Sequence, residues 1–477
     1  MEERLKKLEN LKLLKINPYP YRFDRTHSFR QLKDNFDALS ASQEAVSVAG
    51  RIIAIRGHGK TVFATLQDEN ESLQIYLRQD DLGDRFTLFG HFDIGDFLGV
   101  KGPVFKTKTG EMTVMVREFE MLAKSLRPLP EKWHGLTDVE IRYRKRYLDL
   151  IANPEVRDVF RKRSRVVALI REFFDGRGFL EVETPVLQPI YGGATARPFK
   201  TFYNALEQEM YLRIADELYL KRLIVGGYDR VWEFCRDFRN EGLDRFHNPE
   251  FSMVEAYQAY TDYGGMMELV EALFDHLVKN LLPESKFIFQ DETVPVRTPF
   301  RRLSYTEALN EKAGFDVLRA PREKIDALCA TIGLKPEAMS AGEKIDKLFS
   351  ELIQRGLREP TLVIDHPKLI SPLAKGHRRN PDLVERFELI VLGVELANAF
   401  SELNDPIDQR RRFEAQLAQK EEGISMIDED FLEALEYGMP PTGGLGIGID
   451  RLCMLLLDQP SLRDIILFPQ LRKEAGR

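Results

Sequence analysis

The chain has 477 residues, 43% of them hydrophobic, so it can bury more than one core and two or three domains are expected. Charged residues make up 30%, and the 69 Lys and Arg nearly balance the 76 Asp and Glu for a net charge of -7. That balance excludes a disordered chain and a surface that coats nucleic acid wholesale, so any such contact must be a local patch. Cys235, Cys329 and Cys453 lack zinc-type spacing, the charged opening MEERLKKLENLKLLK lacks the apolar centre of a secretory signal, and no uncharged run reaches the ~18 residues that span a bilayer. A cytoplasmic protein with reduced thiols and no membrane partner is expected.

Leu5, Leu8, Leu11 and Leu14 recur at near-helical spacing and stop at Asn17-Pro18-Tyr19-Pro20, predicting a short helix within a lead-in over residues 1–45. Residues 46–125 change character to five strand-like runs, VSVAGRIIAIR, VFATLQD, LQIYLR, DFLGVKGPVFK and MTVMVREFEML, with one helical insertion at DDLGDRFTLFGHF. This pattern predicts a small β-barrel of the OB type. A linker over 126–152 carries Arg142, Arg144, Lys145 and Arg146, a cluster better suited to nucleic-acid phosphates between two domains than to a merely solvated face. From residue 153 to 477 a larger domain begins with an apolar stripe, Val156 to Phe174, that ends at Asp175-Gly176. Strands and helices then alternate without a regular β-α-β beat, which predicts an α+β class.

Three segments carry chemistry. In Arg230 to Tyr257, two strand-like runs flank a polar loop, and alternation puts Phe251, Met253, Glu255 and Tyr257 on one face. A carboxylate on the inner face of a strand is expensive unless it meets a cation or a donor. Arg239 and Glu241 share a face at the end of the first run, where a planar guanidinium can hold a carboxylate and a phosphate together. In Gly443 to Leu457, a glycine-dense entry leads to an apolar helix with Asp450-Arg451 at its start, a position suited to a polyphosphate. The third segment is GFLEVETPVL, Gly178 to Leu187, after the long amphipathic helix.

These segments resemble motifs 2, 3 and 1 of class II aminoacyl-tRNA synthetases, in the right order, and RNEG, HNPEF and E-x-Y resemble the wording of the lysyl-tRNA synthetase family. The resemblance runs from VAGRI at Val48 to ILFPQLR near the end, and implies an antiparallel catalytic sheet flanked by helices after the OB barrel. It implies that Arg239 contacts the α-phosphate of ATP and the amino-acid carboxylate, that Glu241 and His247 lie at the ATP, that Asn248 supports the loop, that Phe251 stacks on adenine, and that Arg451 binds the γ-phosphate. Motif 1, with Pro185, builds the dimer interface in that family, so a homodimer is implied.

In FELIVLGVELANAFSELNDP, a turn near Leu392-Gly393 would make Glu388 and Glu395 cross-strand neighbours. Paired carboxylates repel unless a cation lies between them, and Mg2+ accompanying ATP is the expected metal. Asn398, Phe400 and Glu402 share strand parity. By the resemblance Glu402 and Tyr257 bind the ε-ammonium of lysine with Asn398 nearby, Glu217 takes the α-ammonium, Gly193 of GGATARPF closes over it, and Glu255 supports the pocket. Asp216 and His366 stand where proline and tyrosine are common in that family, and Gly443 where alanine is also found.

OB folds read unstacked bases by aromatic stacking and edge hydrogen bonds. The resemblance makes Phe63 a stacking platform for the anticodon of tRNA(Lys) and Gln74 a base reader, with Arg56 and Glu111 in support; by residue type alone Phe63 fits a core role equally well. The expected function is activation of lysine with ATP and its transfer to tRNA. The alternatives are a paralogue that lysylates a protein, disfavoured by the barrel, and an aspartyl- or asparaginyl-type synthetase, disfavoured by the acidic pocket.

Overall fold

The computed structural model describes residues 1–69, 71–130, 136–282, 284–418 and 426–473. They form two compact units, Met1–Thr137 and Asp138–Arg477.

In the first unit the leucine stripe forms the helix Glu2–Leu13, which buries Leu8 and Leu11 and leaves Leu5 outside. Two short helices follow, Phe29–Asp34 and Phe36–Ser42, the first held by a capping box between Ser28 and Gln31. Leu11, Phe29, Leu32 and Phe36 share one core with Val48, Ile52 and Leu66. The lead-in is thus packed into the strand domain rather than preceding it.

The strands form a seven-stranded sheet. The expected fourth run splits into Phe97–Gly102 and Val104–Lys106, and the fifth into Met112–Met115 and Glu118–Ala123. Pro103 supplies no N–H to a ladder, which explains the first break. At Gly102 a Cβ would collide with the Met115 carbonyl, so only glycine allows this approach. Val104–Lys106 and Glu118–Ala123 are the two edges of the hydrogen-bonded order, so the described residues form an open sheet and not the closed barrel expected. Single bonds, Met115 N to Pro103 O at 2.9 Å and Arg117 N to Lys101 O at 2.8 Å, bridge the splits.

The second unit starts inside the expected linker, with helices Val139–Arg144 and Arg146–Ala152. Arg146, fully buried, and Arg142 both pair with Asp149, and Arg144 pairs with Glu140. Of the four cations expected to face a nucleic acid, three are therefore committed to internal ion pairs, and Lys145 is exposed. The stripe that follows is the helix Pro154–Asp175, which buries Val166, Leu169, Ile170, Phe173 and Phe174; each such side chain contributes about 1.5–3 kcal/mol by leaving water.

An eight-stranded sheet organises the unit, with Val394–Ser401, Thr442–Gly448 and Glu250–Ala259 adjacent at its centre. Only its two outermost pairings are parallel. Val254, Ala256, Leu445, Ile447, Ala397 and Ala399 point to one face, where they form the main core with the helices Pro154–Asp175, Tyr263–Leu281 and Ile449–Leu456. The alternate positions of the same strands form the other face, and that face is polar. No described helix is long and apolar enough to cross a membrane.

Candidate active site

On the polar face lies a cavity of about 470 Å³, within the range of small-molecule sites. Phe251, Met253, Glu255 and Tyr257 line it together, as strand alternation predicts. The neighbouring strands contribute Asn398 and Phe400, with Glu402 just past the end, and Gly444, Gly446 and Gly448. A side chain on Gly444 would collide with the Glu402 carboxylate and the Tyr257 ring, so this glycine lets the two approach the floor.

One end of the cavity is acidic. Glu217 opens the helix Glu217–Val225 and is buried, as are Glu255 and Glu402. The Tyr257 hydroxyl donates to Glu255 Oε2 at 2.8 Å. Gly193, at φ 87°, brings its loop backbone against Ala215 and Glu217, where a Cβ would stand 3.0 Å from the Ala215 Cβ. Burial raises the pKa of Glu255 well above the usual carboxylate range, and the charges of Asp216, Asp237 and Glu217 add to the effect.

The other end is basic. Arg239 lies just beyond the strand Arg230–Phe238, so it and Glu241 reach the cavity from the loop and not by strand parity. The Arg239 guanidinium stands over the Phe251 ring at 5.0 Å. Arg451, in the first turn of Ile449–Leu456, donates to the Glu395 carbonyl at 3.1 Å and lies 3.3 Å from His247 Nε2. His247 Nδ1 is held by Asp244 at 2.8 Å, and Asn248 donates to the carbonyl of Glu250, two residues further on. Asp450 anchors this end, accepting from Arg163 at 2.7 Å and from Ser252 N at 2.8 Å.

The turn at Leu392-Gly393 is present, both residues at positive φ. A bulge beside Leu389 and Ile390 shifts the register, so Glu388 faces Asn398; Glu395 faces Ile390. With Val391 opposite Val394, the two-residue turn itself pairs Glu395 two residues away from Glu388, so the two carboxylates are offset across the strands rather than directly opposite as expected. They still interact: burial and then the Glu388 charge raise Glu395. Burial also opposes ionisation of Glu388, but Arg386 and His366 outweigh it and lower it to about 2. Glu395 lines the cavity with a carboxylate oxygen 3.5 Å from Arg451, while Glu388 is tied to Arg386 and lies 3.7 Å from His366. An all-oxygen donor pair under mutual repulsion fits a hard divalent cation.

Several groups were not anticipated. Lys221, one turn after Glu217 and fully buried, forms ion pairs with both Glu217 and Glu402. The i to i+4 spacing from Glu217 was the available signal. Arg386 Nε donates to the side-chain oxygen Oδ1 of Asn398 at 3.1 Å and lines the cavity. Beside the site, the unusual Asp216 meets Cys235 and Asp237 in a fully buried group. None of the four carboxylate oxygens of Asp216 and Asp237 accepts a hydrogen bond among the described residues, although Arg213 Nε stands 3.4 Å from Asp237. Burial raises Asp216 well above its usual range and Asp237 to about 6.

In the first unit Phe63 lies opposite Arg56 on one side and Tyr76 on the other, and Thr65 lies opposite Gln74. Ala64, Leu66, Leu73 and Ile75 alternate with them and are buried, so Phe63, Gln74 and Tyr76 occupy the outward face. Phe63 is thus not a core residue. Its ring is 4.6 Å from that of Tyr76, which meets Phe105 edge-on at 6.1 Å. Tyr76 and Phe105 were missed, although Tyr76 shares parity with Gln74. Gln74 accepts from the Thr113 hydroxyl at 3.0 Å, and Glu111 is exposed just before that strand.

Residues 138–472 match the family described as tRNA synthetases class II (D, K and N), and residues 46–129 match the OB-fold nucleic acid binding domain. A lysine–tRNA ligase of Carboxydothermus hydrogenoformans is 53% identical over 476 residues, covering 98% of this chain and 97% of that protein. One of Moorella thermoacetica is 52% identical over 479 residues, covering 99% and 97%. One of Thermotoga maritima is 49% identical over 477 residues, covering 98% and 95%. The chain belongs to the lysine–tRNA ligase family. The open seven-stranded sheet is accordingly this family's OB fold, and the eight-stranded sheet with its polar cleft is the class II catalytic domain.

Proposed function

We propose that the chain activates L-lysine with ATP and transfers the lysyl group to the 3′ end of tRNA(Lys). The observation that carries this reading is the polarity of the cavity. Three carboxylates, Glu217, Glu255 and Glu402, gather at one end and two guanidiniums, Arg239 and Arg451, at the other. An amino acid with a cationic side chain fits the first end and an anionic polyphosphate the second; a pocket for aspartate would need the opposite charge.

In this reading Glu402 and Tyr257 receive the side-chain ammonium beside Asn398, and Glu217 receives the α-ammonium under the Gly193 loop. Arg239 holds the lysine carboxylate and the α-phosphate together, so a carboxylate oxygen attacks phosphorus as the bond to the bridging oxygen of pyrophosphate breaks. Phe251 carries the adenine, Glu241, His247 and Asn248 order the loop around the nucleotide, and Arg451 takes the γ-phosphate. Glu395, with Glu388, would hold Mg2+, which when bound neutralises charge on the phosphates. The terminal ribose hydroxyl of tRNA then attacks the carbonyl carbon of the adenylate and AMP leaves.

On the outward face of the OB sheet, Phe63 stacks an anticodon base and Gln74 reads an edge, with Arg56 and Glu111 beside them. The exposed Leu180, Val186 and Leu187 of the first motif support a homodimer, and three free, buried cysteines support a cytoplasmic setting. Charging of a tRNA(Lys) transcript with radiolabelled lysine tests the whole reading. Lysyl-adenylate formed without any transfer to tRNA would instead favour a protein-lysylating activity.

A further inference from the structure

We propose that Lys221 is a positioning residue for the substrate lysine, an internal ammonium that orients Glu217 and Glu402 and favours ionisation of Glu402 as the amino acid arrives. The inference rests on the lysine-activating reading above. Lys221 has no exposed surface, and its Nζ contacts one oxygen of each carboxylate. Those two carboxylates come from a helix N-terminus and from the residue after a sheet strand, so the ammonium joins two walls of the pocket. Neither Glu402 oxygen accepts a hydrogen bond among the described residues, but Oε2 is held in the ion pair with Lys221 while Oε1 faces the space that Gly444 leaves open. One oxygen is therefore fixed by the protein and one is left for the ligand.

Without Lys221, two buried carboxylates would face each other with no cation, and one would take up a proton. A protonated Glu402 would offer a neutral group to an ammonium ion and lose most of its selectivity for charge. The ionisable groups facing Glu402 are Glu217 and Lys221 from the helix and Tyr257, whose hydroxyl is held by Glu255, from the strand. The strand Thr442–Gly448 contributes Gly444, and the segment bridged to Glu402 at Ala374 carries the buried Arg412, which donates to the Ala374 carbonyl at 2.7 Å. Burial raises Glu402 to about 8, Lys221 lowers it and Glu217 raises it, so loss of Lys221 moves it further up.

The test is Lys221→Met, which keeps most of the side-chain volume, in lysine-dependent ATP–pyrophosphate exchange from pH 6.5 to 9.5 alongside the wild type, whose substrate titrates identically. The KM for lysine at pH 7 should rise about tenfold or more, one pKa unit being a factor of ten. The pH at which KM recovers should move upward, and the KM for ATP should stay unchanged. Glu217→Gln provides the opposite sign: with Lys221 left wholly to Glu402, the midpoint should move down even though KM rises. The second variant also serves if Lys221→Met fails to fold in a thermal melt. An unmoved midpoint in both folded variants, or lysine KM within twofold of wild type in Lys221→Met, overturns the role. Absence of lysine-dependent exchange in the wild type would overturn the functional reading instead.

Discussion

The two units carry their candidate residues in opposite physical settings. In the catalytic unit Glu217, Glu255, Glu402 and Lys221 are ionisable groups held almost without solvent, each dependent on its neighbours. In the OB unit Arg56, Phe63, Gln74 and Glu111 lie on or beside the outward face of a sheet whose inward face is the core. A buried charge must be compensated, so its surroundings state what it binds. An exposed aromatic carries no such obligation, since single apolar residues on surfaces are common. The first site explains itself by energetics, and the second needs the family resemblance to be read.

The largest effect should come from the catalytic unit. Arg239→Ala should lower lysine-dependent exchange by about 10²–10³-fold, the loss seen when one donor to a transition state is removed. Lysine charging should fall in step. Near-normal exchange would mean the guanidinium over Phe251 holds the loop rather than the reactants. Glu402→Gln should be next, raising the lysine KM by roughly 30-fold or more from the ~2–5 kcal/mol of a truncated buried charge pair, with little change for ATP. Equal changes in both constants would point to collapse of the pocket.

The third prediction separates the units. Phe63→Ala should leave exchange and thermal stability close to wild type, because the ring is outside the core, while the KM for tRNA rises about tenfold from the loss of one ~1–3 kcal/mol base stack. Early melting of the variant would return Phe63 to a packing role.

The smallest effect concerns stability. A carboxyl whose pKa rises on folding takes up a proton, so its penalty is absent below the unfolded value of ~3.9. For Asp237 that penalty grows as pH rises through about 6. Asp237→Asn should therefore raise Tm at pH 8 and have little effect at pH 4. A constant Tm difference across that range would show that the Asp216–Asp237 group does not titrate on folding.

Much of this was legible before any coordinates. The leucine stripe, the helix ending at Gly176, the alternation of Phe251 to Tyr257 and the turn at Leu392-Gly393 follow from local periodicity and turn chemistry, and all are present. What local reasoning missed is non-local. The bulge beside Leu389 and Ile390, which sets Glu388 opposite Asn398, depends on how two strands settle against their neighbours. Arg142, Arg144 and Arg146 found partners in Asp149 and Glu140, whose own charges lie in the same short stretch but whose geometry only the helices define. Lys221 read as an ordinary helix residue because Glu402, its second partner, is 181 positions away in the sequence.

ATP–pyrophosphate exchange with a panel of amino acids that includes lysine, ornithine, arginine, aspartate and asparagine tests lysine activation most directly. Strong exchange is expected with lysine and none above background with aspartate or asparagine, whose uncharged or anionic side chains would face Glu217, Glu255 and Glu402. Exchange driven by aspartate or asparagine, with lysine inert, would contradict lysine activation.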